Sequence, residues 1–417
     1  MYGGYIVYTV GLAWHMIWAL IAGFSQNELM MNFSRAFQGF GLAAFLSAGL
    51  MLLGSIYPPG RRKNVVFSIY GACAPIGFFL GIFSSGLAGQ YLSWRWYFWI
   101  GAILISLSLG TALFYVPNDF QYRRQVTKSK VQMDWLGAAC FIPGLVLVTF
   151  AITDSAHAPD KWKTPYIYIC LIAGILILAA GIYVEGWVAK DPLLPFELFA
   201  VPQMKPLLLA LFFSYGVLGI WLLYVTFYAE NVLMASPLRI VAWFVPFGLG
   251  GLFFSLIGGM ILHLVPGTIL LVIAGIGWIL APLLIAIAPI GASYWEFTFP
   301  AMICGTLGVD ITYNITNIFL TTSLPVHQQG LAGAVANSIL FLGISFFLGF
   351  ADFTAGQVID KGTRKTYQAA LWFAVGCASV AVVLLLAFVK IDKAKSEAAT
   401  ENQFEITEET KVDNKLP

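Results

Sequence analysis

The chain has 417 residues, 59% hydrophobic and 10% charged, with a mean hydropathy of +0.84 and a formal net charge of +2. Soluble domains carry about 25% charged residues, so a soluble protein is excluded, and basic residues scattered over short polar segments leave no face for nucleic acid. The composition is that of an all-α polytopic membrane protein, with the lipid bilayer as its surroundings.

Apolar stretches cover residues 5–24, 33–56, 65–89, 96–116, 135–153, 166–188, 206–228, 238–262, 266–289, 296–321, 330–358 and 368–390. Each reaches the roughly 20 residues that cross a hydrocarbon core of about 30 Å, so twelve spans are expected. Runs such as Leu171 to Ile182 do not alternate, which excludes the strands of a membrane barrel. The first stretch is too long, and too poor in basic flanking residues, for a cleaved signal. With Met1 placed inside, twelve Lys and Arg residues fall on inner segments against seven on outer ones, so both ends are expected in the cytoplasm.

Polar breaks at 117–134 and 190–206 divide the spans into four, two and six. The expected units are an N-terminal part, 1–116; loops with a two-helix pair, 117–205; a six-helix half, 206–390; and a disordered cytoplasmic tail, 391–417, acidic and almost without apolar residues.

Arg35 opens the run R-A-F-Q-G-F-G-L-A-A on the second span. Facing lipid, it would cost at least about 2.5 kcal/mol, so it is expected inside the protein with Gln38 on the same helical face. The alternative is an arginine that snorkels to the headgroups. The third span is rich in glycine, with Gly77, Gly81 and Gly86. On the seventh span Trp221, Tyr224 and Tyr228 form an aromatic stripe, read either as an interface belt or as part of a substrate cavity.

Asp310 lies mid-span, too far from either end for a short carboxylate to reach water. Thr306, Asp310, Asn314, Asn317 and Thr321 recur at steps of three and four and make one polar stripe, which suits a watered cavity and a carboxylate that loads and releases protons. The alternative is a structural Asp that ties helices together. Asn337 is a possible polar contact on the eleventh span, and Asp352, nearer a helix end, reads as solvated or as a second proton site. Cys73, Cys140, Cys170, Cys304 and Cys377 sit on separate spans and the four histidines are scattered, so neither a metal site nor disulfides are expected. There is no phosphate-binding glycine loop and no paired histidines, so no cofactor and no enzymatic activity are expected.

The run from Arg35 to Ala44 resembles the fourth-helix signature of the major facilitator superfamily, whose arginine is implicated in proton coupling in drug:proton antiporters. S-W-R-W at Ser93 to Trp96, D-W-L-G at Asp134 to Gly137 and Q-G-L-A-G-A-V-A-N at Gln329 to Asn337 are similar to the fourteen-helix antiporter branch, above all its fungal aminotriazole-resistance-like members. The pair at 135–188 resembles the two helices this branch inserts between its halves. Met1-Tyr2-Gly3-Gly4 looks like the tail of the family's loop motif between helices two and three, so the chain is expected to begin there, without the first two helices. The antiporter signature of the family's fifth helix falls on Ser68, Gly77, Gly81, Ile82, Ser85 and Gly86, with its proline and two of its glycines replaced.

The resemblance implies a monomeric secondary transporter of the plasma membrane that exports a small organic or toxic compound against protons by alternating access. Arg35 and Asp310 would be the coupling residues. An uptake carrier for a small solute such as ammonium, or a truncated product that does not transport, are the alternatives.

Overall fold

The computed structural model describes residues 4–56, 61–116, 134–189, 192–193, 196–261, 264–323 and 326–392. Nearly all of the expected 391–417 tail, from residue 393 on, and most of the 117–134 break therefore lie outside the described residues. Among the described residues, twelve long helices follow one another: α1 (Gly4–Gly23), α2 (Glu28–Ile56), α3 (Arg61–Tyr91), α4 (Trp94–Tyr115), α5 (Trp135–Asp154), α6 (Pro165–Tyr183), α7 (Met204–Asn231), α8 (Pro237–Ile261), α9 (Gly267–Ile287), α10 (Phe299–Ser323), α11 (Val326–Gly356) and α12 (Thr363–Phe388). π-helical turns at Val184–Val188 and Tyr294–Thr298 lead out of α6 and into α10, and there is no strand among the described residues.

The helix bounds depart from the expected stretches by about a turn. Among the described residues, eleven helices are long and apolar enough to cross a membrane. The exception is α10, whose 25 residues suffice in length but whose polar stripe dilutes its hydropathy. It packs along α8 and α9, both apolar enough to span, and so crosses beside them.

Local chemistry sets several ends. Asp134 caps α5 by accepting from the Gly137 amide at 2.9 Å, and Pro165 opens α6 where a missing N–H costs nothing. Ser293 and Glu296 form a reciprocal capping box at the turn before α10. Pro75, Pro143, Pro246 and Pro282 lie inside helices, as lipid-embedded bundles tolerate.

Successive helices run antiparallel. The start of α1 meets the end of α2 at Met51 and Leu52, and its end meets Trp99 near the start of α4. One face of the bundle thus carries the starts of α1, α3, α7 and α9 and the end of α12, whose Lys390 amide donates to Gln203 Oε1 at 3.2 Å. We call this the starting face and its opposite the far face.

In the C-terminal six helices, α7 packs on α11 and α12, α9 on α10 and α12, and α8 on α10. Their shared core includes Trp221, Tyr215, Trp278 and Met302. Three of the first four helices form a smaller unit in which α1 packs on α2 and α4. The third, α3, packs chiefly on α8, across the division between the halves. The α5–α6 pair joins the bundle along α11, where Gly349 lies against Thr153 and Trp162 meets Phe353 edge to face.

Candidate functional site

The stripe on α10 is organised around its one carboxylate. Thr306 is fully buried, and its hydroxyl donates to Asp310 Oδ2 at 2.8 Å. One turn on, the half-buried Asn314 has an amide nitrogen that is buried with no hydrogen-bond partner among the described residues. The Asn317 amide donates to the Tyr313 carbonyl at 3.0 Å.

Two glycines let α8 approach this stripe closely. A Cβ at Gly250 would lie 2.5 Å from Thr306 Cγ2, and one at Gly251 would lie 3.3 Å from Asp310 Oδ2 and 3.0 Å from Pro75 Cβ of α3. Asp310 therefore sits directly behind the seam where the two halves meet. It is the only carboxylate on α3, α8, α9 and α10.

The seam continues toward the far face. Phe78 packs on Phe247 with ring centroids 5.6 Å apart, and a Cβ at Gly248 would lie 3.0 Å from Phe79 Cδ2. At its end Gly86 meets Val241, Gly89 meets Pro237, and the Leu238 amide donates to Gln90 Oε1 at 3.1 Å. Of the three signature glycines, Gly86 alone makes this contact; Gly77 and Gly81 face open space. Just beyond, burial raises the Tyr294 phenol above its ordinary value, and its hydroxyl donates to the Trp243 carbonyl at 3.1 Å.

On α2, Arg35 donates through Nη1 to Gln38 Oε1 at 2.8 Å, and its guanidinium carbon lies 5.7 Å from the Phe98 ring centroid on α4. Gln38 is buried and Arg35 exposed on the same side of the helix. The Gln38 carbonyl meets His15 Nδ1 of α1 at 3.0 Å. This His15 contact escaped the sequence reading; its signal was the glycine pair that brings the backbones together, since a Cβ at Gly41 would lie 2.8 Å from both Gly11 O and His15 N. Helices α2 and α10 are not one of the bundle's main packed pairs, so Arg35 and Asp310 are held by separate neighbours.

The aromatic stripe on α7 is core, not belt. Trp221 is wholly buried over Gly305, against Phe244 and Phe247, and Tyr228 is buried as well. Tyr224 donates its hydroxyl to Asp352 Oδ1 at 2.7 Å and meets Tyr367 of α12 at 5.9 Å. Asp352 is thus a half-buried hydrogen-bond acceptor rather than a solvated helix end. Asn337 is half-buried on the starting-face part of α11.

The S-W-R-W and D-W-L-G motifs have structural roles. Arg95 of S-W-R-W donates to the Ser25 carbonyl at 3.2 Å, fastening α4 to the end of α1. Gly137 of D-W-L-G leaves room for the Asp134 and Glu185 carboxylates, to which a Cβ would lie 2.3 and 2.7 Å away. All five cysteines are free thiols.

Residues 2–348 match the family model described as Major Facilitator Superfamily. The chain is 33% identical over 401 residues to the efflux pump terJ of Aspergillus terreus, covering 95% of this chain and 77% of that one. It is 32% identical to the low affinity ammonium transporter of Saccharomyces cerevisiae, covering 90% and 73%, and 28% identical to the aminotriazole resistance protein of the same yeast, covering 95% and 76%. A solved POT family transporter in complex with a thioalcohol-conjugated peptide shares the fold, with a TM-score of 0.61 at 14% identity over 92% of this chain and 80% of that one.

Proposed function

The chain belongs to the major facilitator superfamily, and from that membership we propose that it exports a small organic compound from the cytoplasm in exchange for protons. It is a multi-pass membrane transport protein rather than an enzyme. The proposal adds direction, coupling and site: export across the plasma membrane by a monomer, with Asp310 as the proton carrier and Arg35 as a positive charge that tunes the cavity.

One observation carries the coupling. Asp310 is a lone mid-span carboxylate that accepts from Thr306 and stands at the α3/α8 seam. An ionised carboxylate pressed into a dry helix contact is strongly disfavoured, so its protonated form favours a closed seam and its ionised form favours access to water. Alternation then follows. A proton loaded from one side permits closure, and its release on the other side reopens the site to substrate.

The efflux pump and the aminotriazole resistance protein support export of an organic solute. Inside-out vesicles with an acidified lumen test it, with aminotriazole as the probe. The expected result is accumulation that collapses when an ionophore dissipates the gradient; equal accumulation with and without the gradient would overturn proton coupling. The ammonium transporter favours a second reading, uptake of a small cation. In intact cells, net entry of methylammonium that depends on this protein would support that reading over export.

A further inference from the structure

Gly251 belongs to none of the sequence motifs, yet it has two neighbours of different kinds on one side of α8. Its Cβ position lies 3.0 Å from Pro75 Cβ, which belongs to the seam, and 3.3 Å from Asp310 Oδ2, which belongs to the proposed proton site. Neither neighbour is a freely moving chain end: Pro75 is ring-locked within α3, and the carboxylate is held by Thr306, itself seated on Gly250.

Among the described residues, the middle turns of the helices packed on α10 add no competing carboxylate. The titratable groups on the middle turns of the packed helices are Tyr70 and Cys73 of α3, Tyr215 of α7, and Cys304 and Tyr313 of α10. Between Arg239 and Ile261 α8 has none, and α9 has none at all.

We infer that Gly251 is a positioning residue for coupling: its missing side chain lets the Asp310 carboxylate and the seam proline share one site on α8, so that the state of Asp310 decides whether α3 and α8 close. The inference rests on the proposal that Asp310 carries the proton. A methyl at this position would wedge the carboxylate away from the seam and leave the two events separate.

The far end of the same seam supplies the readout. The Gly89 Cβ position lies 3.7 Å from Pro237 Cβ, within the span of about 3.5–4.5 Å that a disulfide bridges. In the full chain in membrane vesicles, the pair Gly89→Cys and Pro237→Cys reports closure as oxidative cross-linking, measured in acid and in alkali. The same pair in Asp310→Asn corrects for the pH dependence of thiol chemistry itself.

The wild-type background should cross-link more in acid than in alkali, by about threefold or more beyond the Asp310→Asn background, less than the tenfold of one full pH unit of linkage. Gly251→Ala should erase that excess. Gly248→Ala, whose methyl presses on Phe79 of the seam rather than on the carboxylate, should lower cross-linking equally at both ends of the range and keep the excess. Retention of the full excess in Gly251→Ala overturns the inference. No excess in the wild-type background overturns the proton assignment beneath it, and the inference with it. If Gly251→Ala fails to reach the membrane, the variant to read is Gly251→Ala with Pro75→Gly, which clears the seam side while the methyl still meets the carboxylate; loss of the excess supports the inference there, and its retention overturns it.

Discussion

The last six helices and the first four are built from the same residue types but hold together differently. In the C-terminal half, α7 is enclosed by α11 and α12 and buries Leu207, Leu211, Tyr215, Trp221 and Tyr228 on several sides. In the N-terminal unit α4 buries only Ala102 and Ala112, while Leu107, Leu113 and Phe114 stand exposed. The pairings α1 on α2, α1 on α4 and α3 on α4 repeat those of α9 on α10, α9 on α12 and α11 on α12. One half is therefore a packed body. The other packs closely only along α1, through the Gly11–Gly41 contact with α2 and the Arg95 bond to Ser25, and leaves much of the apolar surface of α4 exposed.

That contrast can be broken most forcefully at Trp221. Trp221→Ala leaves a cavity in the C-terminal core and should lower stability by about 3–5 kcal/mol, read as a clear fall in melting temperature in detergent; an unchanged melt would mean the core is not the rigid body. Gly41→Leu comes next. It forces α1 off α2 and should cost about 1–3 kcal/mol, whereas Gly39→Leu, in open space two residues away, should melt as wild type. Similar melts for both variants would show that the close α1–α2 contact does not hold the N-terminal unit.

Tyr224→Phe should cost somewhat less, about 1–2 kcal/mol, because it leaves the Asp352 carboxylate short of a donor without opening a cavity. A loss as large as that of Trp221→Ala would point to a role beyond packing. Arg95→Ala removes one partly buried bond to the end of α1 and should have the smallest effect, about 1 kcal/mol, visible as faster proteolysis between α1 and α4.

The helices were readable because a bilayer imposes one length and one polarity on whatever crosses it. Asp310 stood out for the same reason, since polar residues in lipid are conspicuous, and helical spacing placed Arg35 and Gln38 on one face; Arg35 itself is exposed rather than enclosed as expected. Other features were not. Trp221 and Tyr224 belong to residue types that serve belts and cores alike, and only the packing of α7, with Trp221 against α8 and α10 and Tyr224 against α11 and α12, decides between them. The Tyr224–Asp352 bond joins residues 128 apart on different helices, and no local pattern relates them. Gly251 is one of 41 glycines; its meaning lies in what stands across from it on α3 and α10.

The central claim is that a proton on Asp310 drives movement of substrate, and Asp310→Asn tests it most directly. The amide keeps the shape and can still accept from Thr306, but it cannot exchange a proton. In vesicles loaded with aminotriazole, export driven by an imposed pH gradient should fall to background in Asp310→Asn, while exchange of labelled for unlabelled aminotriazole at equal pH continues. Undiminished gradient-driven export in that variant would contradict the account.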